Sequence, residues 1–404
     1  MLEWDRFKEE VLWMREYNPY TPGAGFRPTV LAGREKLTEQ VDYALENLQR
    51  GYPQRSVVYY GLRGVGKTVL LNYIEDAADN RNMLHEYIEA TEDKLFRTRL
   101  ITALMRFVRQ LSVKENMKAM LQPVEMLIRA FRVSYDPKEN SFSAGLDGEL
   151  IPLTGIFSDD LTEIIVQLGR AANKAEKQIC LLFDEMQYLD QEDIAGLIGA
   201  IHRCNQLRLP VMMYCAGLPK IKKMFGDAKT YSERLFSFDE ISSLDEESAA
   251  NVITGPAEGF QVKYSDDAIQ EIIRITGGYP YFLQEMCSTV WAMTDSKIIT
   301  LEEVKSATSD FFDRLDRGFF AVRYERCSNT EKAFMAAMVK CGELPCTISN
   351  VATILSKPVK AISPVRGKLI NKGLIYATGH AEIDFTVPQF DEFIKRVNPD
   401  LVLQ

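Results

Sequence analysis

The chain has 404 residues, 46% of them hydrophobic, which is enough apolar material for two or three domains with cores of their own. A formal net charge of −9 argues against a general polyanion binder, so any basic patch must be sought segment by segment. No run approaches the roughly 18 apolar residues that span a bilayer, Met1-Leu2-Glu3-Trp4-Asp5 lacks a signal-peptide pattern, and seven cysteines without a CxxC spacing speak against a disulfide framework; a cytoplasmic location and no membrane partner are expected.

Trp4, Phe7, Val11, Leu12 and Met14 recur at helical spacing and predict an amphipathic helix over residues 3–17. Pro19, Pro22, Gly23 and Gly25 then make a loop, and a second helix over 34–50 stops at Gly51. Residues 56–60, Ser-Val-Val-Tyr-Tyr, read as a buried strand. A glycine-rich segment and a helix over 67–79 follow at once, the unit that opens an α/β nucleotide fold. Further strands are expected at 84–89, 179–183 and 211–215, with helical crossovers between them as a parallel sheet requires. Residues 115–160 fit this scheme poorly. There 132–135, the turn Asp136-Pro137-Lys138-Glu139-Asn140, and 141–146 read as a β-hairpin inserted in the core.

From Asp245 to about residue 320 the pattern is wholly helical, with helices expected over 245–257, 265–275 and 281–294. The end of the chain changes again: short helices, then strands at 374–377 and 382–387 split by Thr378-Gly379-His380. That is the outline of a winged helix-turn-helix. Cys341 and Cys346 flank four residues, a loose metal-type spacing that three histidines in the whole chain do little to complete.

Gly61-Leu62-Arg63-Gly64-Val65-Gly66-Lys67-Thr68 matches GxxxxGK[ST]. Glycines let the backbone wrap phosphates with N–H groups pointing inward, and the helix that begins there adds its positive dipole end. In such a loop Gly61, Arg63, Gly64, Val65, Gly66 and Val69 surround the nucleotide. Lys67 contacts the β- and γ-phosphates, and the Thr68 hydroxyl ligates magnesium. Residues 179–185, Ile-Cys-Leu-Leu-Phe-Asp-Glu, are an apolar strand ending in two acids. Asp184 is placed to hold magnesium through water and Glu185 to polarise an attacking water. Phosphoryl transfer depends mainly on positioning and charge stabilisation, so these parts nearly suffice. A glycine turn without ligand and an acidic strand end meeting solvent are the plainer alternatives, and the strand–loop–helix context outweighs them.

With both elements placed, the chain resembles P-loop ATPases of the AAA+/STAND group, especially the initiator-like branch of origin-recognition-type and archaeal-type ATPases. Leu31-Ala32-Gly33-Arg34-Glu35 looks like the hhGRE motif before the P-loop, residues 61–68 and 180–185 like the Walker A and B elements, and Gly277-Gly278-Tyr279-Pro280 like the GxP motif of a STAND lid. The resemblance implies a three-layer α/β P-loop core with a parallel sheet, then an all-α lid and a winged helix-turn-helix. The corresponding domains are 1–30 (helix and linker), 31–243 (core, with the hairpin insertion near 115–160), 244–322 (lid) and 323–404 (winged helix). It implies ATP or ADP with Mg2+ as ligands, Gly33 and Arg34 at the base or ribose, and Pro280 at the nucleotide from the lid. It also implies an arginine finger at Arg234, just before a last strand at 235–238, with Arg63 a weaker candidate. An ordinary salt bridge of Arg234 to Glu233 or Glu240 is the alternative. Two departures from the family pattern point to a slow switch: Tyr214-Cys215-Ala216-Gly217 offers little as a polar sensor, and the GGYP segment stands where a lid arginine is usual.

Residues 344–381 contain Lys357, Lys360, Arg366, Lys368 and Lys372 and no acid, a basic island in an acidic chain. A recognition helix following Ser363 and ending at Gly373 would use Arg366 and Lys368 on bases, with Lys360 and Lys372 suited to phosphates of double-stranded DNA. Protein packing is the plainer use of such a domain. Two functions stay open: an ATP-dependent DNA-binding switch, and a STAND-type signalling or defence switch whose output is self-association or a protein partner.

Overall fold

The computed structural model describes residues 17–23, 25–113, 115–135, 153–379 and 381–398. The chain divides into two compact units. One comprises Arg34–Gly61 and Lys67–Ile241; the other comprises the segments before Arg34, at Leu62–Gly66 and from Ser242 onward.

The first unit is built on five parallel strands, β1 (Ser56–Tyr60), β2 (Leu84–Glu89), β3 (Ile179–Asp184), β4 (Val211–Gly217) and β5 (Phe236–Glu240), in the spatial order β2-β3-β4-β1-β5. β3 and β4 are buried along their whole length, the mark of central strands covered on both faces. Successive side chains alternate between the faces. Leu181, Phe183, Met213 and Cys215 join Phe107, Phe131, Phe157, Ile164 and Ile198 in one core. The helix Lys67–Asn80 packs against β3 and β4 and buries Leu70, Leu71 and Ile74. Helix, sheet and helix make the three layers expected of the α/β core.

The second unit contains helices Glu246–Glu258, Asp266–Thr276, Pro280–Met293 and Leu301–Arg314, then a π-helical turn at Leu315–Phe320. Helices Asn329–Lys340, Ile348–Ile354 and Val359–Asn371 follow. β8 (Cys346–Thr347), β9 (Ile375–Gly379) and β10 (Glu382–Phe385) form an antiparallel sheet in the order β8-β10-β9, and helix Phe390–Val397 closes the unit. Three helices and such a sheet are the winged-helix outline.

Three expectations are corrected. Residues 132–135 are not a strand but the end of helix Glu115–Tyr135, whose Met117, Leu121, Val124, Ile128 and Phe131 are buried at helical spacing. The local Val and aromatic residues suggested β structure, and tertiary burial overrode them. The other half of that hairpin, 141–146, lies outside the described residues, as does the helix at 3–17 except for Tyr17. The helical segment also holds two two-residue strands, β6 (Lys263–Tyr264) and β7 (Ile298–Ile299), which pair in parallel and are too short to leave a periodic signal. The basic helix begins at Val359 rather than after Ser363. Burial of Ile362 carries it through Pro364, where proline gives up one backbone hydrogen bond. Among the described residues no helix is long and apolar enough to cross a membrane.

Candidate functional site

β1 delivers the chain into the glycine loop at Gly61, whose N–H donates to the Gly217 carbonyl at the end of β4 (3.2 Å). Lys67 opens the next helix and is 8% exposed, with Nζ donating to the Gly61 carbonyl at 3.0 Å. A lysine this buried is held by oxygen acceptors, and the loop supplies one. Thr68, in the same turn, donates from Oγ1 to Asp184 Oδ2 at 2.7 Å. β4 lies between β1 and β3, so the hydroxyl and the carboxylate meet across one intervening strand. A hydroxyl facing a carboxylate oxygen is the hard-oxygen donor set magnesium takes while keeping several waters. These residues fit the metal that the loop implies.

Asp184 accepts two further hydrogen bonds, from the Tyr87 hydroxyl to Oδ2 and from the Glu185 N–H to Oδ1, each 2.7 Å. Burial, then the charge and hydrogen bond of Asp184, push the Tyr87 hydroxyl far above its ordinary range, so it stays a donor. Glu89, paired in register with Asp184, is raised by burial and by the charges of Asp184 and Glu185. Glu185 sits in the left-handed region at φ 53°, uncommon for a residue with a Cβ. The Gln187 amide donates to Glu185 Oε2 and accepts from the Leu218 N–H at 3.0 Å. Lys67, Thr68, Asp184 and Glu185 are thus brought together as the sequence predicts. Tyr87 and Gln187 were not anticipated. Only the two-residue spacing from Glu185 hinted at Gln187, and nothing local marked Tyr87.

The remainder of the loop belongs to the second unit. Gly64 and Gly66 take φ of +84° and +95°, which a residue with a Cβ rarely adopts. The Gly64 carbonyl accepts from the Tyr281 N–H at 3.3 Å, and a Cβ on Gly64 would lie 3.1 Å from the Tyr279 ring. The Tyr279 hydroxyl is buried without a hydrogen-bond partner among the described residues. Pro280 is the first residue of helix Pro280–Met293, Val65 is buried, and Gly33 backs onto Ser248 and Leu244. Arg63 is half-buried near Arg323; burial, then the charge of Arg63, lower the Arg323 pKa. In the first unit Arg34 caps helix Glu35–Gln49, and Val69 is half-buried in the first turn of Lys67–Asn80. Arg234 is exposed on the short helix Ser232–Leu235 and makes no ion pair among the described residues.

On the basic helix Lys360 and Lys368 are exposed, while Arg366 is half-buried with Nε unpartnered among the described residues. Lys372 differs from expectation: its Nζ lies 2.8 Å from the buried carboxylate of Glu331 and 3.2 Å from the Arg326 carbonyl. Among the described residues no group of three or more His, Cys, Asp and Glu side chains is arranged to hold a metal, Cys341 and Cys346 included.

No curated protein is similar enough to this chain to be matched. The solved structure of a Walker-type ATPase from Pyrococcus abyssi is similar at 14% identity, with a TM-score of 0.55, covering 95% of this chain and 99% of that one. At that identity it bears on the fold alone. Aeropyrum pernix ORC1, solved in complex with DNA, matches at 13% identity and a TM-score of 0.47, covering 97% and 98%. The Thermotoga maritima RuvB Holliday junction branch migration motor matches at 14% and 0.46, covering 91% and 98%. Residues 317–394 match a family described as a domain of unknown function (DUF8462). Residues 30–214, which carry the phosphate loop and the acid-tipped strand, match the family described as AAA ATPase domain.

Proposed function

We propose that this chain binds ATP with Mg2+ and hydrolyses it slowly, as a switch whose nucleotide state is read out by the C-terminal winged helix. The observation that carries this is the 2.7 Å contact of Thr68 Oγ1 with Asp184 Oδ2 beside the buried Lys67. Thr68 and Asp184 hold the metal, which when bound neutralises charge on the β- and γ-phosphates. Lys67 leaves the Gly61 carbonyl for phosphate oxygen. Glu185 takes the proton of a water as that water attacks the γ-phosphorus, and the bond to the β–γ bridging oxygen breaks to leave ADP and phosphate. Gly33 and Arg34 serve the base or ribose, Pro280 the nucleotide from the helical segment, and Arg234 a neighbouring copy's phosphates where subunits associate. The domain division at 31–243, 244–322 and 323–404 goes with this reading.

A route to the winged helix exists within the second unit. Tyr281, bonded to Gly64, stacks on Phe319 at 4.6 Å, and the adjoining Phe320 stacks on Phe393 of the last helix at 5.3 Å. Exposed Lys360 and Lys368 favour duplex DNA as what the winged helix meets. The sequestration of Lys372 favours the second reading, a switch that engages a protein partner or another copy without DNA. Phosphate release from ATP, measured with and without duplex DNA beside light scattering in ATP and in ADP, tests both. Release that responds to duplex supports the first. Release indifferent to DNA, with mass that changes between ATP and ADP, replaces it with the second. No release under any condition removes the hydrolytic switch.

A further inference from the structure

The side chain of Gln187 spans two strand ends. It lies on the 3-10 turn Met186–Tyr188 that follows β3, and it is 4% exposed. Its amide donates to Glu185 Oε2, and its carbonyl oxygen accepts from the Leu218 N–H just past β4 at 3.0 Å. Both polar ends of a buried amide are therefore committed, which fixes its rotamer. The slot that admits it depends on Gly217. A Cβ there would lie 3.0 Å from Gln187 Oε1 and 2.9 Å from Ile221 Cδ1.

Glu185 itself is held in a left-handed backbone conformation, and its N–H is bonded to Asp184. A non-glycine residue there works against its backbone preference and persists only where its surroundings over-determine it. The residues at the end of β4, Cys215, Ala216 and Gly217, bring no strongly polar side chain to this place. What reaches it is the Gln187 amide, from the neighbouring strand.

We infer that Gln187 is a positioning residue for hydrolysis: it ties the Glu185 carboxylate to the end of β4, so that Glu185 faces the attacking water in one orientation. This rests on the proposed hydrolysis of ATP at the site. The Gln187 amide is committed to Glu185 and to the Leu218 N–H, so its loss acts on turnover and leaves nucleotide affinity in place. Glu185 has one carboxylate oxygen in the amide's grip.

The test is steady-state ATP hydrolysis and ATP binding by the full chain, comparing wild type with Gln187→Ala, Gln187→Glu and Gly217→Ala. Loss of an outer partner of this kind lowers activity about 10- to 100-fold. Gln187→Ala is expected to lose that much kcat while its Kd for ATP stays within about 3-fold, since ground-state binding is untouched. Gln187→Glu removes the donor to Glu185 and sets a second carboxylate beside it, so kcat falls as in Gln187→Ala while the Kd for ATP again stays within about 3-fold. Gly217→Ala displaces the amide and gives the kcat loss again without touching Gln187. Wild-type kcat in Gln187→Ala or in Gln187→Glu overturns the role while leaving the hydrolytic reading intact. A wild-type chain that binds ATP without turnover overturns that reading, and the role of Gln187 with it. Retained ATP binding by a variant shows that it is folded; should Gln187→Ala lose it, Gly217→Ala and Gln187→Glu decide the matter by the same readouts.

Discussion

One carboxylate, Asp184, accepts hydrogen bonds from Thr68, Tyr87 and the backbone of Glu185, and is almost wholly buried. Its orientation is therefore set by the protein alone, which is how the proposed metal site would avoid reorganisation at the moment of reaction. In the proposed hydrolysis the neighbouring Glu185 carries a different burden, the proton of the attacking water. Glu185→Gln is expected to keep ATP affinity within about 3-fold while phosphate release falls about 100-fold or more. Equilibrium binding beside a phosphate-release assay reads both, and an unchanged release rate removes Glu185 from the mechanism. In the winged helix, Glu331 is caught between burial, which raises its pKa, and hydrogen bonds from Lys372 and Ser328, which outweigh burial and hold it below the usual carboxylate range. A depressed carboxyl contributes stability above its unfolded value, about 4.3, and that contribution is lost as pH falls through the folded value. The stability gap between wild type and Glu331→Gln, measured by denaturant unfolding, is expected to shrink as pH drops from 7 towards 3. A gap that stays constant contradicts this.

At the scale of elements, the phosphate loop depends on backbone conformations that only glycine takes easily. Gly64→Ala meets a φ of +84° and the Tyr279 ring at 3.1 Å. The conformational penalty alone is about 1–2 kcal/mol, so both unfolding stability and ATP affinity should fall; full retention of both in denaturant and binding measurements would contradict the loop geometry. The same scale shows what could be read from sequence. β1 and β2 run over the residues predicted, because β-branched and aromatic runs bounded by turns have no helical competitor there. β4 runs two residues further than predicted, to Gly217, because its pairing with β1 continues to Tyr60 opposite Gly217. The helix ending at Tyr135 was misread because the short run Arg132–Tyr135 has strand-like composition, whereas its burial pattern is set by the preceding four turns. The placement of Lys67, Thr68, Asp184 and Glu185 was legible because their positions follow from fixed spacing to a strand end. Tyr87 and Gln187 were not, because each reaches a partner whose position only the sheet order defines.

For the whole molecule, the question is whether nucleotide in the loop is felt at the winged helix. The aromatic series Tyr281, Phe319, Phe320 and Phe393 is a packed path from Gly64 to the last helix, and packed paths carry coupling only where an element has two arrangements. If duplex DNA is the readout, Arg366→Ala with Lys368→Ala should weaken duplex binding about 10-fold or more while ATP binding persists, and wild-type affinity should fall steeply with salt. Duplex affinity unchanged by that double variant would move the output to a protein partner. All of this depends on the loop taking a nucleotide. The decisive measurement is a titration of the full chain with ATP and Mg2+, against Lys67→Ala and Thr68→Ala as controls. Saturable binding with one nucleotide per chain, weakened about 10- to 100-fold in Lys67→Ala through loss of a charge-assisted contact, is the result predicted. Wild-type protein with no affinity for ATP or any other purine triphosphate in the presence of a divalent cation would contradict it.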